Sequence, residues 1–207
     1  ALVGANLAVS GAILQAVMKN PLADPGIVGV SSGAGLAGVI MLIFMPEASL
    51  LLTPVAFIGA MLSAAAVYAL AWKNGILPSR IILAGVAVSA FLGRGISALL
   101  VFYSDKVQGA LLWMVGGLSA RSWPQVESLF PYTILGLVFA ICGCKALTIL
   151  SLGDETARGL GLPVEKVRFT MTAVAALLAA GAVSIAGLIG FVGLVVPHIV
   201  RLIVGTD

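Results

Sequence analysis

Apolar residues along this chain gather into continuous runs rather than recurring on one face of a helix. The runs fall at about 1 to 18, 26 to 45, 50 to 72, 81 to 103 and 128 to 150. Each is close to the length a helix needs to cross a hydrocarbon core about 30 Å thick. A last stretch, Phe169 to Val200, carries no charged residue. As a single helix it would be about 48 Å long, too much for one crossing. It is expected to break at Gly187, Gly190, Gly193 and Pro197. The pattern predicts an all-α bundle of successive membrane-spanning helices.

The polar connections sort into two sets. If successive runs cross the bilayer, segments 19 to 25, 73 to 80 and 151 to 168 share one side. This side also takes Lys145 and holds seven Lys and Arg residues: Lys19, Lys73, Arg80, Lys145, Arg158, Lys166 and Arg168. The other side, Pro46 to Ser49 and 104 to 127, holds only Lys106 and Arg121. Basic residues concentrate on the cytoplasmic face of membrane proteins, which assigns the first set to the cytoplasm. Within 104 to 127, Leu111-Leu112-Trp113-Met114-Val115 is apolar and predicts a short re-entrant or surface helix, its Trp suited to the interface. Small residues four apart, Gly29 with Gly33 and Ala34 with Gly38, predict close helix approach in lipid.

Composition agrees. Of 207 residues, 61% are hydrophobic and 9% charged, against about 25% charged in soluble domains. A water-soluble fold would lack polar surface. The net charge of +3 is scattered and forms no basic stripe interleaved with aromatics, so nucleic acid is not an expected partner. Cys142 and Cys144, two apart on a helix, point in different directions and form no C-x-x-C.

Two local patterns mimic chemistry. Gly33-Ala34-Gly35-Leu36-Ala37-Gly38 spells G-x-G-x-x-G, but a dinucleotide site needs a preceding strand and a βαβ unit, and these glycines instead open a span. Gly29-Val30-Ser31-Ser32-Gly33 fits G-x-S-x-G, and with His198 it defines an intramembrane serine hydrolase as one alternative. That reading lacks an acid to orient the single histidine. No ligand cluster for a metal is present and no cofactor is expected.

The most informative polar stretch is Ser151 to Arg168. Asp154 is placed to cap free N–H groups, Glu155 suits the positive end of a helix, Gly161 can end it in the left-handed conformation, and Pro163 prevents continuation. Such a rigid, mixed-charge knob between two spans is either a well-capped loop or a dock for a soluble partner.

At this point the sequence resembles a known family, the FecCD-type permease subunits of bacterial ABC importers for vitamin B12, iron siderophores and haem. The resemblance is carried in order by Gly11-Ala12-Ile13-Leu14-Gln15 running to Asn20-Pro21-Leu22-Ala23-Asp24-Pro25-Gly26; Gly29 to Gly35; Leu83-Ala84-Gly85-Val86-Ala87; Trp113-Met114-Val115-Gly116-Gly117; Asp154 to Pro163; and Gly190 to Arg201. It implies the fold of a type II ABC importer permease, a polytopic helical bundle with short cytoplasmic coupling helices. On this resemblance residues 1–207 form one permease domain, with the first span and the C-terminal spans expected to lie outside it.

The resemblance also implies roles. Glu155, Ala157 and Gly161 echo the E-A-A-x-x-x-G signature, with Thr156 replacing its middle alanine, so Asp154, Glu155, Ala157, Arg158 and Gly161 are expected to couple to an ATPase subunit. Pro78, Ser79 and Arg80 would belong to an inner gate, and Ser104 and Asp105, beside Tyr103, to an outer gate. Arg94 is the one charge inside the 81 to 103 span; such a charge should face the bundle interior or water. It is either a cargo-path residue attracting an anionic chelate or a structural Arg bonded to backbone carbonyls or an acid. His198, in the Val-Pro-His motif, is expected to make a structural hydrogen bond.

The implied function is transport without covalent chemistry, by alternating access in the bacterial inner membrane. The expected partners are an ABC ATPase subunit, an extracytoplasmic substrate-binding protein, a second permease copy or homologue, membrane lipid, and a metal-chelate cargo. Nothing here resembles a Walker A phosphate loop, so the nucleotide would be hydrolysed elsewhere. The other alternative is an ion-coupled secondary transporter, for which the spans offer no carboxylate relay.

Overall fold

The computed structural model describes residues 1–73, 75, 77–119 and 121–205. Asn74, Ile76, Ala120, Thr206 and Asp207 lie outside the described residues. With them go the middle of the 73 to 80 connection, part of the 104 to 127 segment and the terminal dipeptide. Nine α-helices are described: α1 (Leu2–Met18), α2 (Val30–Phe44), α3 (Leu52–Ala71), α4 (Pro78–Phe102), α5 (Val107–Val115), α6 (Trp123–Ser151), α7 (Asp154–Gly159), α8 (Val164–Ala186) and α9 (Val192–Val204). The described residues include no strand. Helices α3, α4, α6 and α8 are long and apolar enough to cross a bilayer.

Helices α1 and α8 form the centre. Side-chain polar groups on α1 find partners across the core. Asn6 Nδ2 donates to Thr133 Oγ1 on α6 at 2.9 Å, and Ser10 Oγ donates to the Ala175 carbonyl on α8 at 2.7 Å. The alanine-rich α8 has 72% of its span buried, whereas α4 has only 17%. Small side chains let α8 be surrounded; α4 presents most of its surface outward.

The second apolar run does not form one continuous span. After α1 ends at Lys19, a polar turn leads to a 3₁₀ turn at Pro25–Val28, which Asp24 caps by accepting from Gly26 N at 2.7 Å. This turn lies inside the bundle, because a β-carbon on Gly193 would meet Pro25 at 2.8 Å and the Leu7 carbonyl at 3.0 Å. Only Lys19 and its immediate neighbours therefore mark the polar end of segment 19 to 25. Helix α2 starts from this depth with 15 residues, about 22 Å.

Gly33 and Gly38 serve packing, as the small-residue pattern predicts. A β-carbon at Gly33 would come within 2.3 Å of the Gly59 carbonyl on α3, and one at Gly38 within 2.6 Å of the Trp113 ring. The short helix expected in 104 to 127 is α5. Its Trp113 is not an interface residue; it is buried, 7% exposed, because Gly38 leaves a slot for the indole. Gly117 N donates to the Ala186 carbonyl at 2.7 Å, tying this segment to the end of α8.

The long final run breaks after Ala186. Gly187 has φ 76° and sits so near the Trp113 carbonyl that a β-carbon would meet it at 2.3 Å. Gly190 lies in the turn, but Gly193 and Pro197, also expected as breaks, lie within α9. Gly193 is early in α9, where a Gly is tolerated and where α1 demands it. Helix α8 also begins earlier than the charge-free run, at Val164, so Glu165, Lys166 and Arg168 belong to its first turns rather than to a loop.

Candidate coupling site at the basic end of the bundle

Three stretches of chain that the charge pattern assigns to one side meet at one end of the bundle. Lys19 of the α1 terminus touches Asp154, the Tyr68 and Phe169 rings of α3 and α8 lie 5.0 Å apart, and Gly75 lies beside Glu165. Arg80 Nη1 donates to the Lys73 carbonyl, fastening the α3–α4 connection to the start of α4.

Between α6 and α8 the chain turns at Gly153, whose φ of 120° favours glycine, and forms the six-residue α7. Asp154 does not cap this helix. It points to the bundle, where Lys19 Nζ donates to Oδ1 at 2.6 Å and Arg168 Nη2 donates to Oδ1 and Oδ2 at 2.9 and 3.0 Å. The reason is electrostatic. The Arg168 side chain is 0% exposed, and a buried guanidinium without an opposite charge is far more costly than a helix end that water can satisfy. Partial burial of the Asp154 carboxyl acts to raise its pKa. Hydrogen bonds from Lys19 and Arg168, with their charges, outweigh that and hold it below the usual carboxylate value.

The far end of α7 closes as the sequence predicts. Gly161 has φ 80°; its N–H donates to the Arg158 carbonyl and that of Leu162 to the Ala157 carbonyl, both at 2.9 Å. These two bonds are those of a Schellman ending, with Pro163 following. Ala157 is buried, while Glu155, Thr156, Arg158, Gly159 and Leu160 are exposed. Arg158 Nη2 lies 3.2 Å from Glu165 Oε1 across the turn, an exposed pair of small energetic weight. The knob is a rigid helix fixed by Asp154 on its inner side and open on its outer side.

Of the residues singled out in the sequence, Asp154 and Ala157 therefore face inward, and Glu155, Arg158 and Gly161 face out. Lys19 and Arg168, which hold Asp154, were not singled out. The signal for Arg168 is its place against the longest charge-free run: a charge pulled into the first turns of a span needs a partner nearby.

The gate candidates lie at opposite ends of α4. Pro78, Ser79 and Arg80 form its first turn at the basic end. Ser104 and Asp105 lie in the exposed 3₁₀ turn after it, next to Tyr103, whose ring packs edge-on against Phe44 at 5.0 Å. Arg94 is exposed on α4, on a stripe with Leu83, Ala87, Ala90, Ser97 and Val101 that is also exposed. Among the described residues it makes no hydrogen bond or ion pair. Among the described residues, then, Arg94 has neither the backbone carbonyl nor the acid partner of the structural alternative.

Helix α9 is held on α1 by a second set of contacts. Gln15 Nε2 donates to the Gly193 carbonyl at 3.3 Å, and Arg201 Nη2 donates to Gln15 Oε1. In the Val-Pro-His segment the hydrogen-bonding side chain is thus Arg201. His198 is exposed on α9 and makes no hydrogen bond among the described residues, contrary to the role expected for it, because the α1-facing side of α9 is taken by Gly193 and Pro197. No hydrogen bond joins Ser31 to His198. Cys142 and Cys144 are free thiols on the exposed side of α6.

Known proteins resemble this chain in sequence and in fold. The model of the FecCD transport family matches residues 1–207. The chain is 44% identical to the cobalamin import system permease protein BtuC of Halobacterium salinarum, over 100% of this chain and 56% of that protein. It is 38% identical to the Fe(3+)-citrate import system permease protein YfmD of Bacillus subtilis, over 98% of this chain and 61% of that one. It is also 38% identical to the hemin transport system permease protein HmuU of Yersinia pestis, over 99% and 63%. The chain thus spans less than two thirds of the length of these relatives. A solved structure of a metal-chelate type ABC transporter in an inward-facing conformation superposes with a TM-score of 0.88 at 28% identity, over 100% of this chain and 66% of that one. A bundle of apolar helices with a capped helical knob between two long spans, matched along its whole length, makes this chain a multi-pass membrane protein of the FecCD transport family.

Proposed function

We propose that this chain is the transmembrane permease part of an ATP-binding cassette importer that carries a metal chelate, an iron siderophore, haem or cobalamin, across the bacterial inner membrane by alternating access. The observation that carries the reading is α7. It is a short helix capped at its far end, anchored through Asp154 to α1 and α8, and open to a soluble partner along Glu155, Thr156, Arg158 and Leu160. Its basic end would be cytoplasmic, with the ATPase subunit docked there. The permease performs no hydrolysis itself.

The rest of the architecture fits that role. The outward stripe of α4 would line a path completed by a second permease copy or homologue, with Arg94 facing the cargo. Pro78, Ser79 and Arg80 would stand at its inner mouth and Ser104 and Asp105 at its outer mouth, where a substrate-binding protein delivers the chelate. Relatives whose names give cobalamin, ferric citrate and hemin as cargo support the chelate class.

The test is uptake of radiolabelled chelate by cells expressing the whole transporter, with and without its ATPase subunit. Uptake is expected to stop without the ATPase. Uptake that continues, driven by an ion gradient, would overturn the proposal in favour of a secondary transporter.

A further inference from the structure

We infer that Lys19, Asp154 and Arg168 form the joint through which α7 moves the rest of the bundle, with Asp154 acting as a positioning residue rather than as part of the docking face. The inference rests on the importer reading of α7 and deepens it.

A helix of six residues cannot transmit force by itself. Its covalent links run through Gly153, at φ 120°, and through Gly161, at φ 80°, with Pro163 beyond. These are turn conformations, and without a further contact α7 could pivot on them. Ala157, buried in the apolar core, seats one side of α7, and Asp154 adds a directional polar contact. One carboxylate takes a hydrogen bond from the end of α1 and two from α8, so the consecutive helices α7 and α8 share a single anchor with α1, which is distant in sequence.

The two struts differ in character. Arg168 is fully buried, and its Nη2 bridges both carboxylate oxygens in a charge-assisted contact. Lys19 is partly exposed, with 32% of its side chain open to solvent, and follows the last turn of α1 in the left-handed conformation at φ 49°. The Arg168 strut holds the knob to α8, its covalent neighbour. The Lys19 strut adds what the covalent chain does not provide, a direct tie to α1.

Through α1 that tie reaches further. Gly11 is in backbone contact with Gly193, and Gln15 joins the Gly193 carbonyl to Arg201, so α9 follows α1. The in-bundle turn at Pro25–Val28 is packed against Gly193 and against α4, where a β-carbon on Gly85 would meet the Ile27 carbonyl at 1.7 Å. A shift of α7 is thereby passed to the helix that carries Arg94.

The experiment uses the full transporter, ATPase subunit and binding protein included, in proteoliposomes, and measures chelate moved per ATP hydrolysed. Lys19→Gln removes one strut and leaves the buried Arg168–Asp154 pair intact. It is expected to lower that ratio roughly two- to fivefold, the range an ion pair of this exposure carries, while the ATPase subunit still co-purifies. Lys19→Arg, which keeps charge and donors, is expected to restore it. An unchanged ratio in Lys19→Gln overturns the joint while leaving the importer reading standing. Failure of the ATPase subunit to bind the unmutated permease overturns the importer reading itself. Loss of co-purification in Lys19→Gln alone would place Lys19 in the docking face and also overturn the joint.

Discussion

Gly11 on α1 and Gly193 on α9 meet backbone to backbone: a methyl group on Gly11 would lie 1.8 Å from the Gly193 carbonyl oxygen. Neither helix can yield by rotating a side chain, so any larger residue must push them apart. Gly11→Ala is expected to destabilise the folded permease by about 1–3 kcal/mol, as overpacking does. It should also weaken the Gln15–Arg201 contact beside it. A lowered thermal midpoint in detergent checks this; an unchanged midpoint would mean that α9 is not seated on α1.

Asp154 makes the anchor pH-dependent in a defined direction. Its carboxyl is held below the ordinary carboxylate value of about 3.9. Its contribution to stability is therefore complete above that value and is lost only as pH falls through the lower folded-state value. The permease is expected to keep an Asp154-dependent increment of thermal stability from pH 8 down to about pH 5. Asp154→Asn, which strands the buried Arg168 charge, is expected to cost about 3 kcal/mol across that window. Midpoints of the two proteins measured against pH check both statements, and they should converge in strong acid.

The outer side of α7 is a separate matter. Glu155 is exposed and makes no hydrogen bond among the described residues, so Glu155→Arg should leave insertion and stability unchanged and reduce ATPase-subunit binding. Gly161→Val forces a β-branched residue into φ 80° and is expected to cost about 1–2 kcal/mol of local order at the helix end. Co-purification of the ATPase subunit and cargo-stimulated ATP hydrolysis are the readouts, and both should fall in both variants.

Arg94 lies well inside α4, where a charge costs at least about 2.5 kcal/mol on insertion scales. Arg94→Ala is therefore expected to insert at least as well as the parent. Uptake of an anionic chelate should fall roughly ten- to hundredfold, in keeping with the about 1.5–3 kcal/mol carried by a hydrogen bond to a charged group. Equal uptake at equal membrane abundance would remove Arg94 from the cargo path.

Much of this was legible in the chain because the bilayer imposes length and composition on any segment that crosses it. The runs 50 to 72, 81 to 103 and 128 to 150 became α3, α4 and α6, and the break at Gly187 and the Schellman ending at Gly161 followed from backbone chemistry local to those residues. The Gly33 and Gly38 pattern foretold close packing but not its partners, Gly59 and Trp113.

What the sequence by itself determined, then, is the membrane-spanning helical class, the basic end of the bundle, and the capped knob between α6 and α8, since each depends on neighbours within a turn or a span. Tertiary structure alone decided that Asp154 anchors rather than caps, that Trp113 is buried, that Pro25–Val28 lies inside the bundle, and that Arg201 rather than His198 holds α9. Those outcomes depend on which groups from different helices are brought together, as with Gly38 and Trp113, Lys19 and Asp154, or Gln15 and Arg201. A charge or a polar atom taken out of water must find a partner, and the partner is chosen by the packing of helices rather than by adjacency along the chain.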